Sequence, residues 1–186
     1  MGRRLGQRLA AAVAVSTTVG RMRTSLLLVA LAAALSACAG GGGGGAGGVV
    51  DGVEKTTTDH AEIAVPRAAD ALEARKVKAF GQWQSCMALS WRYEVFASMT
   101  AAEGDPAAQL EAVRAALVDD GWTDDTQVDG HVTLTREDTT VDVEPSPARG
   151  PGIWVVRVQS ACADYDGDDK DRVENDEARP IEALTS

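Results

Sequence analysis

The chain has few of the groups that usually carry chemistry. Its 186 residues hold two histidines and three cysteines, and aromatic side chains make up 4%. His60 and His131 stand at no zinc-ligand spacing from a cysteine or from each other, so the pattern offers no metal site. A cysteine nucleophile needs a cationic neighbour such as histidine, and neither histidine is near Cys86 or Cys162 in sequence. No two carboxylates stand out as an acid/base pair, because the acids cluster on turn-like segments and at the C-terminal end, where a solvated charge is the default. No internal repeat is present. These absences argue against an enzyme and call for no cofactor.

Basic charge is scarce where it matters for nucleic acid. Residues 1–37 contain Arg3, Arg4, Arg8, Arg21 and Arg23 and no acid, which leaves 13 basic against 28 acidic side chains in the rest, a net of −15. Affinity for phosphate rests on lysine and arginine, so a nucleic-acid partner is excluded. A long apolar run is also missing. The run Ser25 to Ala34 is apolar from Leu26 on but shorter than the roughly 20 helical residues needed to cross a bilayer.

That short run follows Arg21 and Arg23 and ends in Leu35-Ser36-Ala37-Cys38-Ala39-Gly40. A positive end, a short apolar core and small residues at a cleavage point make an export signal over 1–37. Counted from Met22 the signal has ordinary length, which favours Met22 over Met1 as the start of translation. Leu35-Ser36-Ala37-Cys38 resembles the lipobox of bacterial lipoproteins. The resemblance implies cleavage before Cys38 and a diacylglycerol on its thiol, placing the protein on the extracytoplasmic face of the cell membrane. Each buried methylene of such an anchor contributes about 0.8 kcal/mol, and two chains hold stably where one does not.

Gly40 to Gly45, Gly47 and Gly48 follow the lipobox. They have no Gly-Lys-Ser/Thr ending to cradle a phosphate, and read as a spacer that continues through Thr56-Thr57-Thr58 to Val65, making 38–65 a flexible linker. At about 5–6 Å times the square root of its length, that linker sets the domain of order 30 Å from the lipid.

A globular domain is expected over 66–164. Pro66 suits a first helical position, and Leu72, Ala79, Phe80, Trp83 and Met87 at spacings near three and four predict a helix to Met87, weakened at Gly81. Trp91, Tyr93, Val95, Ala97 and Met99 alternate with Arg92, Glu94, Phe96 and Ser98, which predicts a strand. Asp105-Pro106 starts a second helix with Leu110, Val113, Leu117 and Val118 on its apolar stripe, and Gly121 ends it. Strands are predicted from Trp122, over 131–136, over 139–144 and over 153–160, with turns at Asp129-Gly130 and Glu137-Asp138. That order predicts an α+β fold of two layers, an antiparallel sheet with two helices packed on one face.

With Cys38 lipidated, Cys86 and Cys162 remain as an even pair in an oxidising compartment and are expected to form a disulfide. Closing a loop of that length stabilises by roughly 4.5 kcal/mol in the chain-entropy model. Past Cys162, Asp164-Tyr165-Asp166-Gly167-Asp168 resembles the opening of an EF-hand loop. Asp169 stands where that loop turns on glycine, and Asn175 where it needs a bidentate acid, so 165–186 is expected to be an acidic, disordered tail. The layout of lipobox, glycine spacer, Cys86, Tyr93, Gly121-Trp122 and Ser160-x-Cys162 resembles the small, mostly uncharacterised lipoproteins of high-GC Gram-positive bacteria, as does the use of 14 arginines against four lysines. The function expected is that of a non-catalytic binding or scaffolding module, with an envelope protein or ligand as partner. The alternatives are a surface hydrolase or a small-ligand carrier.

Overall fold

The computed structural model describes residues 48–87 and 89–186. The expected signal segment 1–37, the lipobox with Cys38 and the glycine tract to Gly47 lie outside the described residues. From Gly48 on the architecture is α+β, with one antiparallel sheet of eight strands and three α-helices. The elements are α1 (Gly48–Ala71), β1 (Arg75–Met87), β2 (Ser90–Thr100), α2 (Pro106–Asp119), β3 (Thr123–Asp124), β4 (Val132–Arg136), β5 (Thr139–Pro145), β6 (Ile153–Ser160), β7 (Ala163–Asp164), α3 (Gly167–Glu174) and β8 (Arg179–Pro180). The strands lie in the order β3-β4-β5-β6-β2-β1-β8, and β7 adds to the end of β2.

Strict alternation builds the core face of the sheet. The rows Leu134–Val141–Val158–Val95–Gly81 and Val132–Val143–Val156–Ala97–Ala79 run across five strands in register. Because successive side chains point to opposite faces, this puts one apolar band under the helices. Onto it α1 lays Thr57, Ala61, Ala64, Val65 and Ala68, Leu72 follows just past its end, and α2 adds Leu110, Val113 and Leu117. The alanines keep α1 thin on its inner side, so the helix axis can come close to the sheet. At the start of α2, Asp105 Oδ2 accepts from the Ala108 N–H at 3.2 Å, and at its end Gly121 adopts φ 88, which a residue with a Cβ rarely does.

Two corrections concern the first helix. The expected helix over 66–87 ends at Ala71, and 75–87 is strand β1. Val77, Ala79 and Trp83 are buried while Lys78 and Phe80 point away, a period of two that coexists in this stretch with spacings of three and four. Gly81, taken as a weak point in a helix, faces the Tyr93 hydroxyl, which any Cβ there would strike. The other correction is that 48–65, expected to be linker, is helical. Glycine and threonine are poor helix formers, but the buried stripe of α1 is held by the sheet, and tertiary packing outweighs propensity in most protein helices. Pro66 sits inside α1 on its exposed side.

The segment 165–186, expected to be disordered, also packs. Tyr165, Val173 and Leu184 are buried in the same core, and the tail closes the outer edge of β1. The Ile181 N–H donates to the Ala79 carbonyl and the Ser186 N–H to the Val77 carbonyl, each at 3.0 Å, and the Trp83 N–H donates to Asp176 Oδ2 at 3.0 Å. An unpaired edge invites association, and the chain uses its own C-terminal segment to cover it. Composition pointed the other way because only four large apolar residues serve the segment, Tyr165, Val173, Ile181 and Leu184, and all four have a site in the core or beside it.

Replacing Pro66 by alanine should raise stability by about 1–3 kcal/mol, since proline in a helix interior removes a backbone bond. Were Pro66 the first residue of a helix, the change would be neutral or harmful, and denaturant unfolding separates the two. Truncation after Ala163 should lower the melting temperature by several degrees. Val173→Ala alone should cost about 1–2 kcal/mol, the scale of a buried aliphatic side chain.

Candidate functional site

The sheet has a second face, and none of the three helices covers it. Across it runs the row Thr133–Asp142–Arg157–Phe96–Phe80–Pro180. Phe96 lies at its centre with the Arg149 guanidinium 4.8 Å and the Arg157 guanidinium 5.9 Å from the ring centroid. Arg149 arrives on a short 3-10 turn, Pro147–Arg149, that folds back beside β6. The surrounding side chains are tied to one another. Arg157 donates to Glu144 at 2.6 Å, Thr133 to Asp142 at 2.6 Å and Gln159 to Glu94 at 2.6 Å. The face is therefore mixed rather than apolar, and its groups are pre-positioned. Phe80 is 38% exposed beside them. In sequence this face was legible only as the polar half of the β2 alternation; its convergence with Arg149 and Arg157 depends on strand order.

Cys86 and Cys162 are joined, with S–S 2.08 Å and Cα–Cα 6.3 Å. Cys86 is near the end of strand β1 and not at the end of a helix. The bridge ties the β1–β2 hairpin to the chain leaving β6.

His60, placed by sequence in a linker, is buried on α1. Its Nδ1 lies 2.8 Å from Thr139 Oγ1, its ring meets Trp122 edge-on at 5.6 Å, and Nε2 is 3.9 Å from Glu137 Oε2. Thr139 is only 3% exposed, so the imidazole and hydroxyl pair fixes α1 to the β4–β5 turn. His131 stands half-buried before β4 with no metal-binding companion, and among the described residues no group of three or more His, Cys, Asp or Glu side chains could hold a metal ion. The EF-hand-like acids do not converge. Asp164 is in β7, Asp166 precedes α3, and Asp168 and Asp169 lie in its first turn.

A charged node that sequence did not disclose centres on Glu54. Its carboxylate accepts from Trp83 Nε1 at 2.8 Å, Arg172 at 3.0 Å and Arg179 at 3.3 Å, while Arg172 also reaches Asp51 at 2.6 Å. Asp176 binds Arg179 at 3.1 Å. The partners are more than 100 residues apart in sequence for both arginines on Glu54, a pairing that no local pattern encodes. Beside the node, burial first and then the nearby Glu54 carboxylate push the Tyr93 phenol above its ordinary range, and burial does the same to Tyr165. Both phenols are neutral at neutral pH, and because folding raises their pKa the protein loses stability as alkaline pH rises from the ordinary tyrosine range through the raised values.

The hollows of the described surface include two away from the Glu54 node. One of about 310 Å³ lies between the start of α1 and the β5–β6 edge, at Thr57, Asp138, Thr139 and Ser160. The other, about 440 Å³, lies among Pro106, Pro145, Pro147, Ile153 and Trp154. No described protein family matches this chain, nor does any curated protein or solved structure.

Removing the bridge by Cys86→Ser should cost about 2–5 kcal/mol, the range for a native disulfide that closes a long loop. Intact-mass analysis after alkylation without reduction should find Cys86 and Cys162 unmodified; labelling of both would count against the bridge.

Proposed function

We propose that the protein is an envelope lipoprotein, held at the extracytoplasmic face of the cell membrane by a diacylglycerol on Cys38. Its folded part would serve as a non-catalytic binding or scaffolding module. The observation that carries the reading is the helix-free sheet face. A sheet of this width with one face packed and the other displaying Arg149, Phe96, Arg157 and Phe80 presents aromatic and arginine groups of the kind that dominate protein interfaces. Their neighbours are already hydrogen-bonded, so little side-chain freedom would be lost on association. The net acidity of the chain fits a protein or ligand partner and not a nucleic acid. Export is supported by the signal pattern over 1–37 and by the disulfide, which belongs to an oxidising compartment.

The hollow at Pro106, Pro145 and Trp154 favours a second reading, a carrier of a small ligand, because Pro106, Pro145, Pro147, Ile153 and Trp154 give half of its wall an apolar lining beside the polar Glu103 and Gln109.

Cys38→Ala should shift the protein from the membrane fraction to soluble or unprocessed forms; detergent-phase partitioning identical to wild type would reject the anchor. In parallel, cross-linking in intact cells followed by pull-down should recover a protein partner with the wild type. The partner should be lost with Phe80→Ser/Arg149→Glu, two exposed changes that leave the melting temperature in place. Retention of the same partner by that variant would reject the sheet face as the binding surface.

A further inference from the structure

Helix α1 and strand β1 run in opposite directions, so the start of α1 and the β1–β2 hairpin lie at the same end of the domain. The bond from Trp83 Nε1 to Glu54 Oε1 confirms that alignment. Three apolar side chains stand out into solvent at this end: Val49 is 65%, Met87 76% and Leu89 73% exposed. Leu89, moreover, adopts φ 72, in the left-handed region that glycine occupies freely and leucine does not. The tight turn between Met87 and Ser90 calls for that backbone conformation, but glycine or asparagine would supply it with less strain, and a leucine with its side chain in water adds nothing to the turn. Strain combined with exposed apolar surface marks a contact site. The tip is also braced. Ser90 pairs with Asp164 and Trp91 with Ala163, and the Cys86–Cys162 bridge lies immediately behind Met87.

The chain length outside the described residues says what covers the tip. Nine residues, 39–47, separate Cys38 from Gly48, and fully extended they reach no more than about 35 Å. The end of the domain that carries Met87 and Leu89 is thus the one tied on the shortest lead to the lipid. We propose that the β1–β2 tip is a membrane-contact site, with Met87 and Leu89 entering the interfacial layer of the bilayer that holds the Cys38 diacylglycerol. The inference rests on the lipoprotein reading above. Asp51, Asp138 and Asp164 are exposed at the same end, and the cost of moving a charge into hydrocarbon confines the contact to the tip. Its effect is orientation: the domain is held with the hairpin down, and its open sheet face is displayed sideways.

The test uses the full lipidated chain in phosphatidylcholine vesicles, carrying a photoreactive diazirine side chain in place of Leu89 or of Val128. Val128 is 59% exposed and precedes β4 at the opposite end of the sheet. Intact mass first establishes the lipid on Cys38. Lipid cross-links should be about fivefold or more abundant from position 89 than from 128, the ratio that burial of little more than one methylene produces. Leu89→Gly, probed from position 87, should lose most of that labelling while its melting temperature rises, because glycine relaxes the backbone. Equal yields from 89 and 128 with the lipid present overturn the tip and leave the anchor standing. A chain without lipid on Cys38 overturns both. Cross-links in intact cells that run from position 89 to protein instead of lipid also overturn the proposal.

Discussion

The burial of one helix against one sheet face is the interaction on which the rest of the molecule depends. Helix α1 has little of its own to hold it together. Gly52, Thr56, Thr57, Thr58 and Pro66 all lie within it, each less favourable than alanine in a helix. What fixes it is a stripe of small residues, Ala61, Ala64 and Ala68, set directly on a valine-rich sheet. Alanine loses no rotamer freedom on burial, so close approach costs little side-chain entropy while the sheet valines are dehydrated. The His60–Thr139 bond and the His60–Trp122 edge contact then lock the helix at the β4–β5 turn. The Glu54 carboxylate, two turns from the start of α1, becomes the point to which the C-terminal segment ties.

That tie explains how an acidic segment can be part of a core. Arg172 and Arg179 bring their charges to Glu54, and Asp176 meets both the Trp83 amide and Arg179. Exposed ion pairs contribute little individually, but these groups sit over an aromatic cluster centred on Trp83, whose ring centroid is 5.5 Å from that of Tyr93 and 5.2 Å from that of Tyr165. The apolar surface under them provides the stabilisation, and the charges decide where the segment lies. The backbone bonds to Val77 and Ala79 follow from that placement. A sheet edge that would otherwise offer free donors and acceptors is thereby closed.

Local signals were legible and long-range ones were not. Asp105-Pro106 and Gly121 bound α2 because capping chemistry operates within a single turn. The alternation through β2 and the turn residues between β4 and β5 also act over a few residues, and the strands form where those residues place them. The pairing of Cys86 with Cys162 followed from counting cysteines rather than from geometry. By contrast, residues 48–65 carry the composition of a spacer and 165–186 that of a solvated tail. Each becomes ordered because the other and the sheet are present, through contacts such as Arg172 with Asp51 that span 121 positions. The open face shows the same division. Phe96 stood on the polar side of β2 by its period, while its flanking by Arg149 and Arg157 required β6 to lie beside β2.

The early start of α1 changes the mechanics of any lipid on Cys38. A spacer running to Val65 would let the domain tumble far from the bilayer, whereas nine residues between Cys38 and Gly48 keep the start of the helix within about 35 Å. Under so short a lead the two ends of the domain cease to be equivalent. The strands of a sheet whose hairpin end faces the lipid rise away from the surface, so both sheet edges and the helix-free face stand across it rather than along it. On the proposed anchor and hairpin-down orientation, the Phe96 row would be displayed to neighbours in the plane of the membrane. A membrane-bound partner would then meet that face with most of its translational freedom already lost, so a shallow, mixed surface that is weak between two free proteins would suffice at the local concentrations of a two-dimensional layer.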